Sequence, residues 1–387
     1  MTGASADVPR RDEAGSPPIP ELDGVRGLAI LLVLLFHFQG VRPPWVPKAL
    51  TYPMVIGWSG VDLFFVLSGF LITRILIATR DSENYFSAFY ARRVLRILPL
   101  YLLAVFLCFR VGLPLAERLG LPVGPERSLE PWFWLHVSNW RSAFGHDVEP
   151  LSHFWSLAIE EQFYAVWPLV VLATAPRRLP TVCAAIALVS ASARVAAGAA
   201  GAPSEALHRL TIFRLDALAI GALVASLAVR TEGRMALRRR LPAVTAVSIV
   251  ALVALLVVGR GATSPAMTGP GYTLFAVVDA CLVFAAFDRA GSPGSVRWLR
   301  VRWLRALGKY SYGIYVFHYP ISLETGRIAA AAMLGLSGAG RTGVWLLSAA
   351  GGIAASCLLA FVSWHLLERP FLSLKAAFVA RPAGAPS

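Results

Sequence analysis

Arg26-Gly-Leu-Ala-Ile-Leu-Leu-Val-Leu-Leu-Phe-His37 sets an arginine and a histidine at the two ends of ten almost purely apolar residues. At about 100° per residue the eleven-residue step turns about 1100°, within about 20° of three full circles, so both side chains project from one face of a helix about 16 Å apart. A fixed cation at a membrane surface then lines up with a titratable imidazole deep in the bilayer. Ionisable groups at that depth are costly and usually functional; a histidine hydrogen-bonded into a helix bundle is the plain alternative.

The rest of the chain reads as membrane too. Hydrophobic residues fill 57% of 387 positions and charged ones 15%, against about 25% charged in a soluble domain. Apolar runs separated by Arg- and Pro-rich punctuation predict ten spans, near 27–41, 55–78, 97–113, 153–174, 180–200, 211–229, 242–259, 271–287, 307–323 and 343–367. The fold class expected is an all-α polytopic helical bundle of about ten transmembrane helices, with both termini on one side. The first and third runs fall short of the ~20 residues that a perpendicular span needs, so flanking residues must extend them or neighbouring helices must shield them.

Charge placement orients the bundle. With the N-terminus inside, the inner segments hold 23 of the 36 Lys and Arg and the outer ones 11, while Arg74 and Arg194 fall within spans. Cytoplasmic N- and C-termini follow. The net charge of +14 then reads as positive-inside bias and attraction to the anionic lipid bilayer, and no basic face with stacking aromatics points to nucleic acid.

Residues 1–20 have no apolar core and read as a disordered cytoplasmic tail, not a signal peptide. The membrane domain is expected over 21–372 and a short cytoplasmic tail over 373–387, too short for an appended soluble catalytic domain. Cys108, Cys183, Cys281 and Cys357 lie far apart in apolar runs and read as packing residues; no metal is expected.

Four further stretches carry polar chemistry. Gly57-Trp-Ser-Gly-Val-Asp-Leu-Phe-Phe-Val-Leu-Ser-Gly-Phe-Leu71 brings Asp62 and Ser68 into the second span, as substrate contacts or as small residues that allow close helix packing. Phe89-Tyr-Ala-Arg-Arg-Val-Leu-Arg-Ile-Leu-Pro-Leu-Tyr101 sets Arg92, Arg93 and Arg96 at its inner end; guanidinium forks suit phosphate, although an arginine run there also satisfies the positive-inside rule. Leu151-Ser-His-Phe-Trp-Ser-Leu-Ala-Ile-Glu-Glu-Gln-Phe-Tyr-Ala-Val-Trp-Pro168 buries adjacent Glu160 and Glu161, only one of which is expected to face a given direction; a salt bridge is the structural alternative to a site role. In Lys309-Tyr-Ser-Tyr-Gly-Ile-Tyr-Val-Phe-His-Tyr-Pro320, Tyr315 and His318 share a face. Residue counts put His37, Glu160 and His318 at one level near the bilayer middle, as a buried site or polar conduit requires.

Seven runs in order, namely Arg-x10-His, 60–70, 91–99, 154–164, 213–221, 310–318 and 368–371, resemble the acyltransferase 3 family of ten-span membrane O-acyltransferases. The resemblance covers about 20–372 and implies transfer of an acyl group, usually acetyl, from cytoplasmic acyl-CoA to a hydroxyl of a sugar, cell-envelope glycan or secondary metabolite. It implies Arg26 and His37 as the essential pair and Arg93 and Arg96 as the basic motif at the cytoplasmic mouth. Some members add a C-terminal esterase-like domain; this chain resembles the stand-alone branch, which includes macrolide acyltransferases.

His37 and Glu160 are therefore the candidate catalytic residues, with Arg26, Arg92, Arg93 and Arg96 for the acyl-CoA co-substrate (acetyl-CoA above all). Asp62, Ser68, Tyr315 and His318 are candidate substrate contacts. Neutral His37 can act as general base on the acceptor hydroxyl, or carry the acyl group itself; sequence leaves both mechanisms open. A transporter or flippase is the rival class, since buried His, Glu and Arg suit it equally, but no internal repeat or paired broken helices are evident.

Overall fold

The two short runs are lengthened by charged flanks that hydropathy hides. In the computed structural model, which describes residues 19–40, 45–46, 51, 54, 56–120, 123, 125–258, 263–288 and 296–381, helix α1 covers Pro20–His37. The first turn carries Glu21 and Asp23, which suit a helix N-terminus. A second helix, α2, spans Gly60–Ala78, and α3 spans Tyr85–Phe106 before continuing through a π-turn at Leu107–Gly112 into Leu113–Arg118. Tails expected over 1–20 and 373–387 lie outside the described residues as far as 18 and from 382, as do the expected span ends at 41, 55 and 259.

Seven more long helices complete the set: α4 (Trp155–Ala173), α5 (Leu179–Ala199), α6 (Leu215–Ala228), α7 (Thr231–Val258), α8 (Tyr272–Phe287), α9 (Arg302–Ala332) and α10 (Gly338–Ser363). Each stands at one of the ten expected positions, and no strand occurs among the described residues. By length and composition alone, seven helical runs are apolar enough to cross a membrane. The exceptions inform: α6 is a buried 14-residue helix, while α1 and α9 carry the ionisable residues that build the site. The result is an all-α membrane bundle.

Close packing at glycine positions sets the frame. A Cβ on Gly27 of α1 would overlap the Leu304 carbonyl of α9, and one on Gly308 the Asp23 carbonyl, so α1 and α9 touch backbone to backbone. Gly69 of α2 and Gly221 of α6 do the same against Leu218 and Val66. Around these crossings α9 packs on α10, and α6 lies between α2, α5 and α8. Exposed Val94, Leu102, Leu103 and Phe106 on α3, with Leu346, Leu347 and Leu358 on α10, form an apolar outer surface that suits lipid.

From 373 the chain does not leave the bundle at once. Leu374–Ala377 continues as a helical turn, and Asn84 then holds the next segment through Nδ2 to the Val379 carbonyl (2.9 Å) and Oδ1 from the Arg381 amide (2.8 Å).

Candidate active site

On α2, positions 61, 64, 65 and 68 recur at helical spacing and form one face, which walls a cavity of about 870 Å³ with its open mouth included. Arg26 of α1, Arg93 and Arg96 of α3, Glu160, Glu161 and Tyr164 of α4, and Tyr312 and Tyr315 of α9 supply its polar surface. Arg26 Nη1 donates to Asp23 Oδ1 at 2.8 Å within its own helix. The arginines of α3 lie eight and eleven residues past Tyr85, about 12 and 16 Å along the axis, because the helix starts well before the apolar run. Both line the cavity. Tyr90 OH, one turn earlier, donates to the Ala165 carbonyl of α4 at 2.8 Å and fixes that register.

Glu160 is held by the hydroxyls of Ser68 and Tyr164, which also bond to each other across the α2–α4 contact. Arg93 and Arg96 are its charged neighbours. Glu161 also reaches the cavity, contrary to the expectation that one of the pair must turn away. Neighbouring positions about 100° apart can both meet a cavity wall that spans enough of the helix surface.

Tyr315 closes the far end of the cavity. Its hydroxyl lies 2.5 Å from Ser156 Oγ and donates to the His153 carbonyl at 3.0 Å. Behind it stand three histidines. The ring of His318 packs against His37 (centroids 4.8 Å apart), His153 (5.2 Å) and Tyr315 (5.3 Å), and Tyr319 touches both His37 and His153. His37 ends α1, where its Nδ1 bonds the Val33 carbonyl at 2.9 Å; His318 Nδ1 bonds the Tyr315 carbonyl at 2.6 Å. A carbonyl only accepts, so each neutral ring carries its proton on Nδ1 and offers the Nε2 lone pair.

The expected single level is thus a column. His37, His318 and His153 occupy one end, Tyr315 and Ser156 the next step, then Glu160 with Ser68 and Tyr164, then the arginines. Glu160 lies seven residues beyond His153, which sits in the 3₁₀ turn Glu149–Phe154 leading into α4, so it belongs with the arginines and not with His37.

Two expected site residues lie elsewhere. Arg92 points into a separate small crevice with Ile75, Thr79, Phe89 and Ala380, since it sits about 100° from Arg93 around α3. Asp62 does not line the cavity; it turns away from the wall and forms a buried ion pair with Arg214. Beside it Arg194 and Asp216 pair at 2.8 Å, Thr273 Oγ1 donates to Asp216 Oδ2 at 2.6 Å, and the Arg214 guanidinium lies 4.0 Å above the Tyr272 ring.

Sequence reasoning assigned no role to His153, Ser156 or Tyr164. Their signal was nonetheless present: 153, 156, 160 and 164 are spaced three, four and four, which is one helix face.

The family model described as an acyltransferase domain matches residues 19–365. The chain belongs to this acyltransferase family. Among its relatives is a Bacillus subtilis (strain 168) protein provisionally named peptidoglycan O-acetyltransferase YrhL, 30% identical over an alignment of 372 residues that covers 91% of this chain and 54% of the relative. The peptidoglycan O-acetyltransferase OatA of Listeria monocytogenes is 26% identical over 91% of this chain and 55% of its own. The O-acetyltransferase OatA of Staphylococcus aureus (strain NCTC 8325 / PS 47) is 25% identical over 81% and 52%. This acyltransferase-family chain spans about half the length of the curated relatives it matches. No solved structure matches it.

Proposed function

We propose that this chain is a membrane O-acyltransferase that moves an acetyl group from acetyl-CoA to a hydroxyl of a cell-envelope glycan. The observation that carries the reading is the column itself: three arginines at one end of a membrane-embedded cavity and three histidines beyond the other. The donor's phosphates meet Arg26, Arg93 and Arg96, whose forks can each donate paired hydrogen bonds. Its pantetheine arm runs past Ser68 and Glu160 and brings the thioester to Tyr315 and Ser156.

His37 does not line the cavity, so the acyl carbon must reach the Tyr315–Ser156 step for the histidines to act on it. The acceptor hydroxyl comes to His37 from its half-buried side. His37 Nε2 takes the hydroxyl proton as the oxygen attacks the thioester carbon; the C–S bond breaks, the C–O bond forms, and the proton passes to the leaving sulfur. His318 holds the His37 ring edge-on. The relatives' names favour a cell-wall glycan over a secondary metabolite as acceptor, and the charge bias of the connections favours a cytoplasmic arginine end.

Vesicles containing the protein in one orientation, supplied with cell-wall glycan fragments, test this. Acetyl-CoA should be consumed, and alkali-labile acetate should appear on the glycan, only when acetyl-CoA is on the face of the arginine end. Movement of unmodified glycan across the bilayer with no acetyl-CoA consumed would replace the enzyme by a transporter.

A further inference from the structure

The run Glu368-Arg-Pro-Phe371 takes no part in the column, yet its glutamate is only 6% exposed in a helix of the membrane bundle. Helix α10 passes at Ser363 into a π-turn, Trp364–Glu368, before resuming at Arg369–Ser373. Such a turn holds an extra residue and so rotates the helix beyond it, a device often found at functional sites. Here it brings Glu368 inward, where Oε1 accepts from Ser363 Oγ at 3.2 Å. The space it enters exists because residue 313 of α9 is glycine; a Cβ there would lie 3.0 Å from that oxygen.

The charged group that acts on Glu368 is Arg96, the same arginine that faces Glu160 across the cavity. Tyr312, in the cavity wall, feels both Glu368 and Arg96 and donates to the Ile97 carbonyl at 2.7 Å, which ties α9 to α3 at this level. The π-turn that carries Glu368 packs on α3, the helix of Arg96, so two carboxylates act on this guanidinium from different helices, Glu160 from α4 and Glu368 from the end of α10. A guanidinium has five N–H donors in one plane, enough to serve a carboxylate on one edge while another edge stays turned toward a ligand. A buried carboxylate needs such a partner in return.

We infer that Glu368 is a positioning residue that holds the Arg96 guanidinium in the cavity to receive a phosphate of the acyl donor. The inference rests on the proposed role of Arg96 as a donor contact. Glu368 itself touches neither donor nor acceptor. Its loss acts on donor binding and leaves the chemistry at His37 alone.

The test is a double-mutant cycle on the full purified chain, with CoA as the calorimetric probe and acetyl transfer measured in parallel. Glu368→Gln keeps the shape and the Ser363 contact but removes the charge. It should weaken CoA binding and raise KM for acetyl-CoA about tenfold, with kcat within about twofold, and should add nothing in an Arg96→Gln background. Glu368→Asp, which keeps the charge, should lose less, and it replaces Gln in the cycle should that variant not fold. Unchanged CoA affinity in Glu368→Gln beside a weakened Arg96→Gln overturns this inference alone. The same holds if the two losses simply add. Unchanged affinity in Arg96→Gln removes the donor-site reading, and this inference with it.

Discussion

Two groups of charged side chains flank α2, one on the cavity wall and one turned away from it. In the first, Asp62 pairs with Arg214 and Arg194 with Asp216 away from solvent: the four side chains are at most 1% exposed, and Thr268, Thr273 and Tyr272 pack round them. In the second, Arg26, Arg93, Arg96, Glu160 and Glu161 share a cavity that opens outward and leads to three histidines. Residue types are alike; the difference is access, since the first group is sealed from solvent while the Arg26 side chain of the second is 23% exposed. An ion pair sealed from solvent joins helices, while charges spread round open space are arranged for a ligand.

The largest effect is expected in the sealed group. Arg194→Leu leaves Asp216 buried without its partner and should cost about 3–5 kcal/mol, seen as early melting and aggregation of detergent-solubilised protein. Replacing both members by leucine should recover most of that loss. An Arg194→Leu protein that melts with the parent would erase the distinction between the two groups.

In the open group the cost should fall on binding. Arg93→Gln is expected to weaken CoA about tenfold by calorimetry while leaving the melting temperature nearly unchanged, because a charge-assisted contact to a ligand is lost while Arg96 still acts on Glu160. Arg26→Gln should behave likewise. One step further along the column, Ser156→Ala removes a hydroxyl from Tyr315 and should lower kcat about tenfold, one hydrogen bond's worth, with KM for the donor little changed.

A smaller effect concerns pH. His208, in the connection between α5 and α6, bonds the Tyr272 hydroxyl at 2.7 Å. Burial, and then the charges of Arg214 and Arg209, hold its pKa well below the ordinary 6.5. The native ring therefore stays neutral where the unfolded one takes a proton, so stability is full above about 6.5 and falls as the pH drops below it. His208→Gln should flatten that acid limb of the melting curve; an unchanged slope would contradict the assignment.

Much of this architecture was legible in the sequence. Ten apolar runs marked ten helices, and the Arg26–His37 step marked both ends of the column. Hydropathy failed where helices begin in charge: α1 starts at Pro20 and α3 at Tyr85, and those polar turns carry Arg26, Arg93 and Arg96 into the cavity. Long-range pairing was hidden for a different reason. Asp62 and Arg214 are 152 residues apart, so nothing local distinguishes a sealed aspartate from an exposed one. His153 and Ser156 sat in plain view on the face of Glu160, but a histidine in a 3₁₀ turn before a helix falls outside an apolar-run search, and its partners on α9 are more than 150 residues away.

The measurement that bears most directly on this account is acetyl transfer by purified His37→Gln protein, read beside its melting temperature. Loss of about 10²–10⁴ in kcat with CoA affinity and melting close to the parent's is the result predicted, since the change removes a proton acceptor from a site whose donor end is untouched. Turnover within a few-fold of the parent would contradict the account and leave the column without its base.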